Sequence, residues 1–425
     1  PGEYAETVQR DTLGTANKQT VIRAEIPGTV LLRGDAPAPR FAPTHEFPYV
    51  YKAHVDAHVE GVAETDTFTV LDRHPNLEAL PFQPGACYYD KDRKDLYISS
   101  TDLQHPSTHS YTVLTTPQTG LYLTNPCNVL IKGLAATGFY RCGQISLEFD
   151  RDYIWGMMLV NPHGCTIRNC VTYLNAGGIS MYKGRGNIIE DCTVYANASI
   201  YSYEGGGIIR FFGNDDIIRN CRAFNSQAAG IRFYADMSGP AVLRDNISCG
   251  NTKGDFWIKG KNRAEYGLAE RCISTGRFNV DNVRNCIIGG DNSYRWEKGI
   301  PADSISLRAL HTDTRGEFAD PVNFDFRLQS TSTLRGTGPD GTDPGPYPYE
   351  ENVFFVSPDG DDDAEGTSSS LAWQTLVHAF SKLKPGDTLY LESGSYDACS
   401  LTNTRDITVR GRGAEHPLLR GDTNL

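Results

Sequence analysis

One short pattern returns again and again between Gly120 and Cys286. It is seen in "GLYLTNPCNVLIKGL" (120–134), "GMMLVNPHGCTIRNC" (156–170), "GISMYKGRGNIIEDC" (178–192) and "GIIRFFGNDDIIRNC" (207–221). It continues in "GIRFYADMSGPAVLRDN" (230–246), "DFWIKGKNRAEYGLAERC" (255–272) and "RFNVDNVRNC" (277–286). The starts at 120, 156, 178, 207, 230, 255 and 277 are 36, 22, 29, 23, 25 and 22 residues apart. Each unit holds two short apolar runs that alternate, separated by Gly/Asn turns, and a period near 22 of this kind marks a solenoid. Runs of three to five residues are too short for helices. Each unit predicts one coil, with like strands stacking about 4.8 Å apart. Stacked coils bury a core that no single coil buries alone.

The repeat also explains the cysteines. Cys170, Cys192, Cys221, Cys272 and Cys286 end equivalent units, so they predict a stack of small buried thiols. Zinc sites need close pairs such as C-x-x-C, and the sequence has none. Cys87, Cys142, Cys165 and Cys249 fall off this ladder, and their pairing stays open.

Charge excludes one class of partner. A net −12 without an offsetting basic run argues against tracking nucleic-acid phosphates. No apolar stretch approaches the ~20 residues of a membrane-spanning helix.

The repeat region resembles the right-handed parallel β-helices of carbohydrate-active and cell-surface proteins. "FADPVNFDFRLQSTSTLRGTGPDGTDPGPY" (318–347) is similar to the closing segment of such domains. "VSPDGDDDAEGTSSSLAWQTLVHAFSKLKPGDTLYLESGSY" (356–396) is similar to their opening, an Asp/Gly loop and one amphipathic helix over the core. The expected class is therefore all-β. Residues 1–350 would form a β-helix domain without its N-terminal cap, and 351–425 the cap and first coils of a second, homologous one. "LLRGD" occurs at both 31 and 418, which fits a divergent tandem copy. Residue 1 falls inside a strand-and-turn pattern, so the sequence reads as a section of something longer. Residues 36–118 break the coil pattern and predict an inserted small β region, with "GACYYDKDRKDLYIS" (85–99) as a hairpin.

Alternation along the first strand of each coil gives an outward column. It runs Tyr122 and Thr124, Met158 and Val160, Ser180 and Tyr182, Arg210 and Phe212, Arg232 and Tyr234, then Trp257 and Lys259. An ungapped match to the preceding coil would turn Arg210 inward. The outward register is preferred because burying an unpaired Arg is costly. A column of Tyr182, Arg210, Arg232, Tyr234, Trp257 and Lys259 suits an acidic polysaccharide, with guanidinium forks on uronates and rings on sugar faces. Alternatively, Glu204 and Asp236 neutralise the arginines and the rings only tile the surface.

Extra residues precede the first strand in "RCGQISLEFDRDYIW" (141–155) and "ASIYSYEGG" (198–206), and would wall one edge of this groove. They supply Glu148 and Glu204, and His163 and Lys183 are expected at the ends of adjacent strands, facing the same way. A hydrolase needs two carboxyls about 5–9 Å apart. A uronate lyase needs a cation and a Lys, Tyr or His base. No cofactor is required by either, but Asp359, Asp361 and Asp363 in "DGDDDAEG" have oxygen-ligand chemistry suited to Ca²⁺. Asn197 and Asn246 lie in N-glycosylation sequons.

Two functions follow as expectations. The first is a structural or fibre-forming section of a long extracellular or cell-surface tandem array, with polysaccharide or neighbouring domains as partners. The second is a polysaccharide lyase or glycoside hydrolase working in the groove.

Overall fold

The computed structural model describes residues 1–141, 154–198, 206–227, 229–234, 239–288, 305–306, 316–320, 325–338, 341–347, 349–397, 399, 406–412 and 417–420. Three all-parallel sheets of eight, eight and ten strands run along the solenoid. The first sheet collects Leu121–Thr124, Met157–Val160, Gly177–Tyr182, Gly206–Phe211, Ala229–Tyr234 and Gly254–Lys259, among others. The second takes the "TIRN/IIED/IIRN" runs, from Thr166–Arg168 to Val283–Arg284. The third takes the strands that follow each ladder cysteine, such as Val171–Tyr173, Thr193–Tyr195 and Arg222–Phe224. Each coil thus contributes three strands, one more than the two apolar runs suggested. The connection to Gly267–Glu270 also holds a single helical turn, Arg263–Tyr266, where the reading excluded helix.

Side-chain alternation sends Leu121, Met157, Ile179, Ile208, Ile231 and Phe256 into one continuous core with the second-sheet Ile and Leu residues. Cys170, Cys192, Cys221, Cys272 and Cys286 are fully buried free thiols, as the period required. Cys87, Cys165 and Cys249 are free as well, and Cys142 lies outside the described residues. Asn246 occupies the ladder position of its coil, where its Oδ1 accepts from Cys221 N–H (2.9 Å) and its Nδ2 donates to Ile218 O (2.8 Å). A second asparagine rung joins Asn197 Oδ1 to Asn175 N–H (3.2 Å). Such side chains satisfy corner amides that the sheets leave unpaired. Asn197 and Asn246 are therefore structural, and being fully buried they are closed to glycosylation in the folded chain.

The insertion leaves after Val30–Arg33. A five-stranded and a four-stranded sheet pack face to face around Val59, Val62, Leu71, Leu96, Ile98 and Val113. The expected hairpin pairs Ala86–Asp90 with Asp95–Ser99. The insertion leans on the outward side of the third sheet through Ala63, Val70 and Leu114 against Leu174 and Ala196. Further along that side, the closing segment covers Ile247, Ile273 and Ile287 with Phe318, Phe326 and Leu334. A separate β-rich region follows, with parallel strands Val353–Val356, Thr388–Leu391 and Thr408–Gly411. Its helix Leu376–Lys382 buries Leu376 and Ala379 against Trp373, Leu389 and Tyr396.

Candidate functional site

The outward face of the first sheet carries two columns. One reads Tyr122, Met158, Ser180, Ile209, Arg232, Trp257. The other reads Thr124, Val160, Tyr182, Phe211, Tyr234, Lys259. Tyr182, Arg232, Tyr234, Trp257 and Lys259 stand on the expected side, and Arg210 does not.

Arg210 pairs in register with Met181 and Phe233 and points into the core, 1% exposed. Its Nε donates to Asp216 Oδ2 (2.8 Å), and its Nη1 to the carbonyls of Met181 (2.9 Å) and Phe211 (2.7 Å). Its Nη2 reaches the carbonyls of Lys183 and Gly184. Burial pushes the guanidinium down and the Asp216 carboxyl up, against their mutual attraction. The arginine keeps its proton in this setting, with Asp216 as its counter-charge. The expected outward register is thus corrected. It rested on the cost of an unpaired arginine, and this one is paired by a residue six positions on. Gly213 makes the room, since a Cβ there would stand 1.8 Å from Nη2.

Arg232 keeps the outward side but is only 2% exposed. Its guanidinium lies 4.5 Å from the Trp257 ring centroid and 5.1 Å from that of Tyr234. It therefore positions these rings instead of offering a fork to solvent. Among the described residues, the cations that reach solvent on this face are Lys183 and Lys259. Lys259 Nζ sits 5.2 Å from Tyr234 and 5.3 Å from Trp257, and Lys183 Nζ 5.1 Å from Tyr182. Exposed Phe212 takes the corner beside Phe211 and meets Tyr182 and Tyr234 edge-on at 5.8 and 5.7 Å. Tyr182, Phe212 and Tyr234 form an aromatic row over three coils, about 10 Å long by strand spacing.

His163 and Lys183 follow the ends of adjacent strands, Met157–Val160 and Gly177–Tyr182, at different positions round the coil. Lys183 shares its rung with Asn161 and Phe212. His163 lies two positions further round the coil, on the rung of Arg185 and Asn214. Glu148 and Glu204 lie outside the described residues. In the acidic loop, Asp361 Oδ1 accepts Asp363 N–H (2.9 Å). Asp362, which the sequence did not single out, accepts the N–H groups of Gln374 (2.8 Å) and Thr375 (2.9 Å) at the helix start. Burial raises its carboxyl, but these bonds outweigh that and hold it below the usual value. Among the described residues no group of three metal-ligating side chains converges.

A second concavity went unread in the sequence. A cavity of about 700 Å³ opens on the third sheet, between the insertion, the closing segment and the β-rich region 353–420. Its one visible signal is Arg222, which interrupts a run of uncharged residues in its column, Ala135, Val171 and Thr193 before it and Ile247 and Ile273 after it.

Residues 119–294 match the family model described as a right handed beta helix region. Among solved structures, the chain is similar to XylC in complex with xylose, at 11% identity and TM-score 0.41, covering 100% of this chain and 80% of that one. A glycoside hydrolase is similar at 8% identity and TM-score 0.41, covering 98% and 87%. The PL6 family alginate lyase AlyGC is similar at 12% identity and TM-score 0.22, covering 98% and 64%. No curated protein matches the chain. Together with the three parallel sheets, the family match makes residues 119–294 a right-handed parallel β-helix.

Proposed function

We propose that this chain is a carbohydrate-binding structural module of an extracellular or cell-surface protein, built from consecutive β-helix units divided near residue 350. The observation that carries the reading is the aromatic row Tyr182–Phe212–Tyr234, extended by Trp257 and flanked by Lys183 and Lys259. Rings on successive rungs suit successive sugar faces, and exposed ammonium groups favour an acidic polysaccharide over a neutral one. Neighbouring units of the same protein are the second partner. The acidic loop at Asp359, Asp361 and Asp363 is proposed to bind Ca²⁺ weakly, which a calcium titration of the folded chain checks.

The test is binding to a panel of acidic and neutral polysaccharides at two salt concentrations. Tyr234→Ala should weaken binding roughly tenfold, the upper range for one ring contact. Lys259→Ala should reduce its salt dependence. Absence of binding across the panel, or binding indifferent to both changes, overturns the reading. New reducing ends or unsaturated uronates in the same mixtures would replace it with the lyase or hydrolase alternative.

A further inference from the structure

Four separate parts of the chain build the cavity on the third sheet: Phe68 of the insertion, Tyr195 and Arg222 of the coils, Asp325 and Tyr347 of the closing segment, and Tyr390, Glu392 and Arg412 of the region 353–420. Its volume falls within the range of small-ligand sites.

The charges in it are unequally committed. Asp325 accepts from Arg327 Nε (3.0 Å) and Nη2 (2.8 Å), and lies 3.4 Å from Arg412 Nη1. Glu392 accepts from the Ser369 hydroxyl (2.6 Å) and lies 3.5 Å from Arg412. Exposed Asp191 accepts from Asn220 Nδ2 (2.5 Å). Arg222 forms no ion pair among the described residues, although Tyr347 and the carboxylates of Asp325 and Glu392 lie near enough to raise its guanidinium. Its hydrogen bond runs from Nη2 to the Tyr347 hydroxyl and is long, at 3.4 Å, and its guanidinium lies 5.8 Å from that ring. A half-buried guanidinium that hydrogen-bonds only to Tyr347, with Asp325 and Glu392 nearby but held by other partners, keeps N–H groups for a planar anion.

We propose that this cavity is a second binding site, distinct from the aromatic row, for a uronic acid residue. Its carboxylate takes the Arg222 fork, and its ring lies against the tyrosine walls. The site is complete only where the β-helix meets the region that follows it, so occupancy ties the two together. The ligand's class rests on the carbohydrate reading above, but the cavity and its cation do not.

The experiment is calorimetric titration of the full chain with galacturonic acid and its disaccharide, with galactose as the neutral control. Wild type should bind the uronates and prefer them at least tenfold over galactose. Arg222→Gln should abolish that preference, Arg222→Lys should keep part of it, and Tyr234→Ala on the aromatic row should leave it intact. Circular dichroism confirms that each variant is folded, and the lysine variant reports even if the glutamine variant is not. Failure to bind any uronate, equal binding of galactose, or loss with Tyr234→Ala but not Arg222→Gln overturns the proposal. Polysaccharide silence on the row, with Arg222-dependent uronate binding retained, would instead refute only the first site.

Discussion

The buried Arg210–Asp216 pair allows a sharp test, because the neighbouring coil shows what the same positions look like without charge. Met181 fills the Arg210 position one coil earlier, and Asn187 lies under Asp216, donating its N–H to Asp216 Oδ1 at 2.8 Å. Asp216→Asn alone leaves a guanidinium in the core without its counter-charge. Breaking a buried pair from one side costs about 3–5 kcal/mol. Arg210→Met alone strands a carboxylate, but one that still accepts from Asn187 and whose neutral form burial already favours, so the loss should be smaller. The double variant copies the preceding coil. Asn187 Nδ2 donates to Pro162 O there (3.1 Å), and the equivalent carbonyl, Gly184 O, is released when Arg210 goes. The side-chain amide introduced by Asp216→Asn would therefore have its donor and acceptor both satisfied. Replacing such a pair by packed uncharged residues is often neutral or stabilising by about 1–4 kcal/mol. Urea unfolding of the four proteins, followed by circular dichroism, closes the cycle. An Asp216→Asn midpoint equal to wild type, or a double variant weaker than both singles, would refute the inward ion pair.

Two further outcomes follow from buried groups elsewhere. Asp255 is fully buried, and desolvation pushes its carboxyl up to about 6 although Asn251, Ser274 and Gly276 donate to it. The folded state therefore holds a proton that the unfolded state has lost between pH 4 and 6. Stability should fall by roughly 3 kcal/mol as pH rises through that window, before other groups contribute, and the fall should vanish in Asp255→Asn. Unfolding midpoints at pH 4, 5, 6 and 7 measure this, and equal slopes in both proteins would contradict it. Burial likewise raises the thiols of Cys170, Cys192 and Cys286 well above the usual value. They should resist iodoacetamide in the native chain and react only on unfolding, as peptide mapping would show.

The solenoid was legible because its information is local and repeated. Seven approximate copies of one strand-turn pattern average out the ambiguity of any one, and the cysteines mark the phase. Arg210 was not legible because "IIRFF" carries no parity of its own. The deciding residue, Asp216, sits in the next turn, where it replaces the asparagine of the coil before. Phe212 was assigned to the groove for the wrong reason. It is exposed as a corner residue with φ of 51°, while Phe211 holds the strand position. Beyond Arg222 itself the cavity was not legible, since Arg222 gains its surroundings only when Phe68, Tyr347 and Arg412, far apart in sequence, arrive around it.

The insertion has a kinetic consequence. The strand Val8–Asp11 pairs with Leu121–Thr124, so the coil before the insertion can join those after it only once a long excursion has closed. Asp35 and Leu114 are themselves paired, antiparallel, at the foot of the insertion. Once its two sheets have formed, the excursion shrinks to a short tether that delivers the chain back to the growing end. Loop-closure entropy rises only by about 0.6 kcal/mol for each doubling of length, but a pre-folded splint removes most of even that search. The coils from Gly120 onward need no such help, because each meets its neighbour within a few tens of residues. Weakening the insertion should thus delay or detach the coil that precedes it, while the coils that follow it assemble at their own pace.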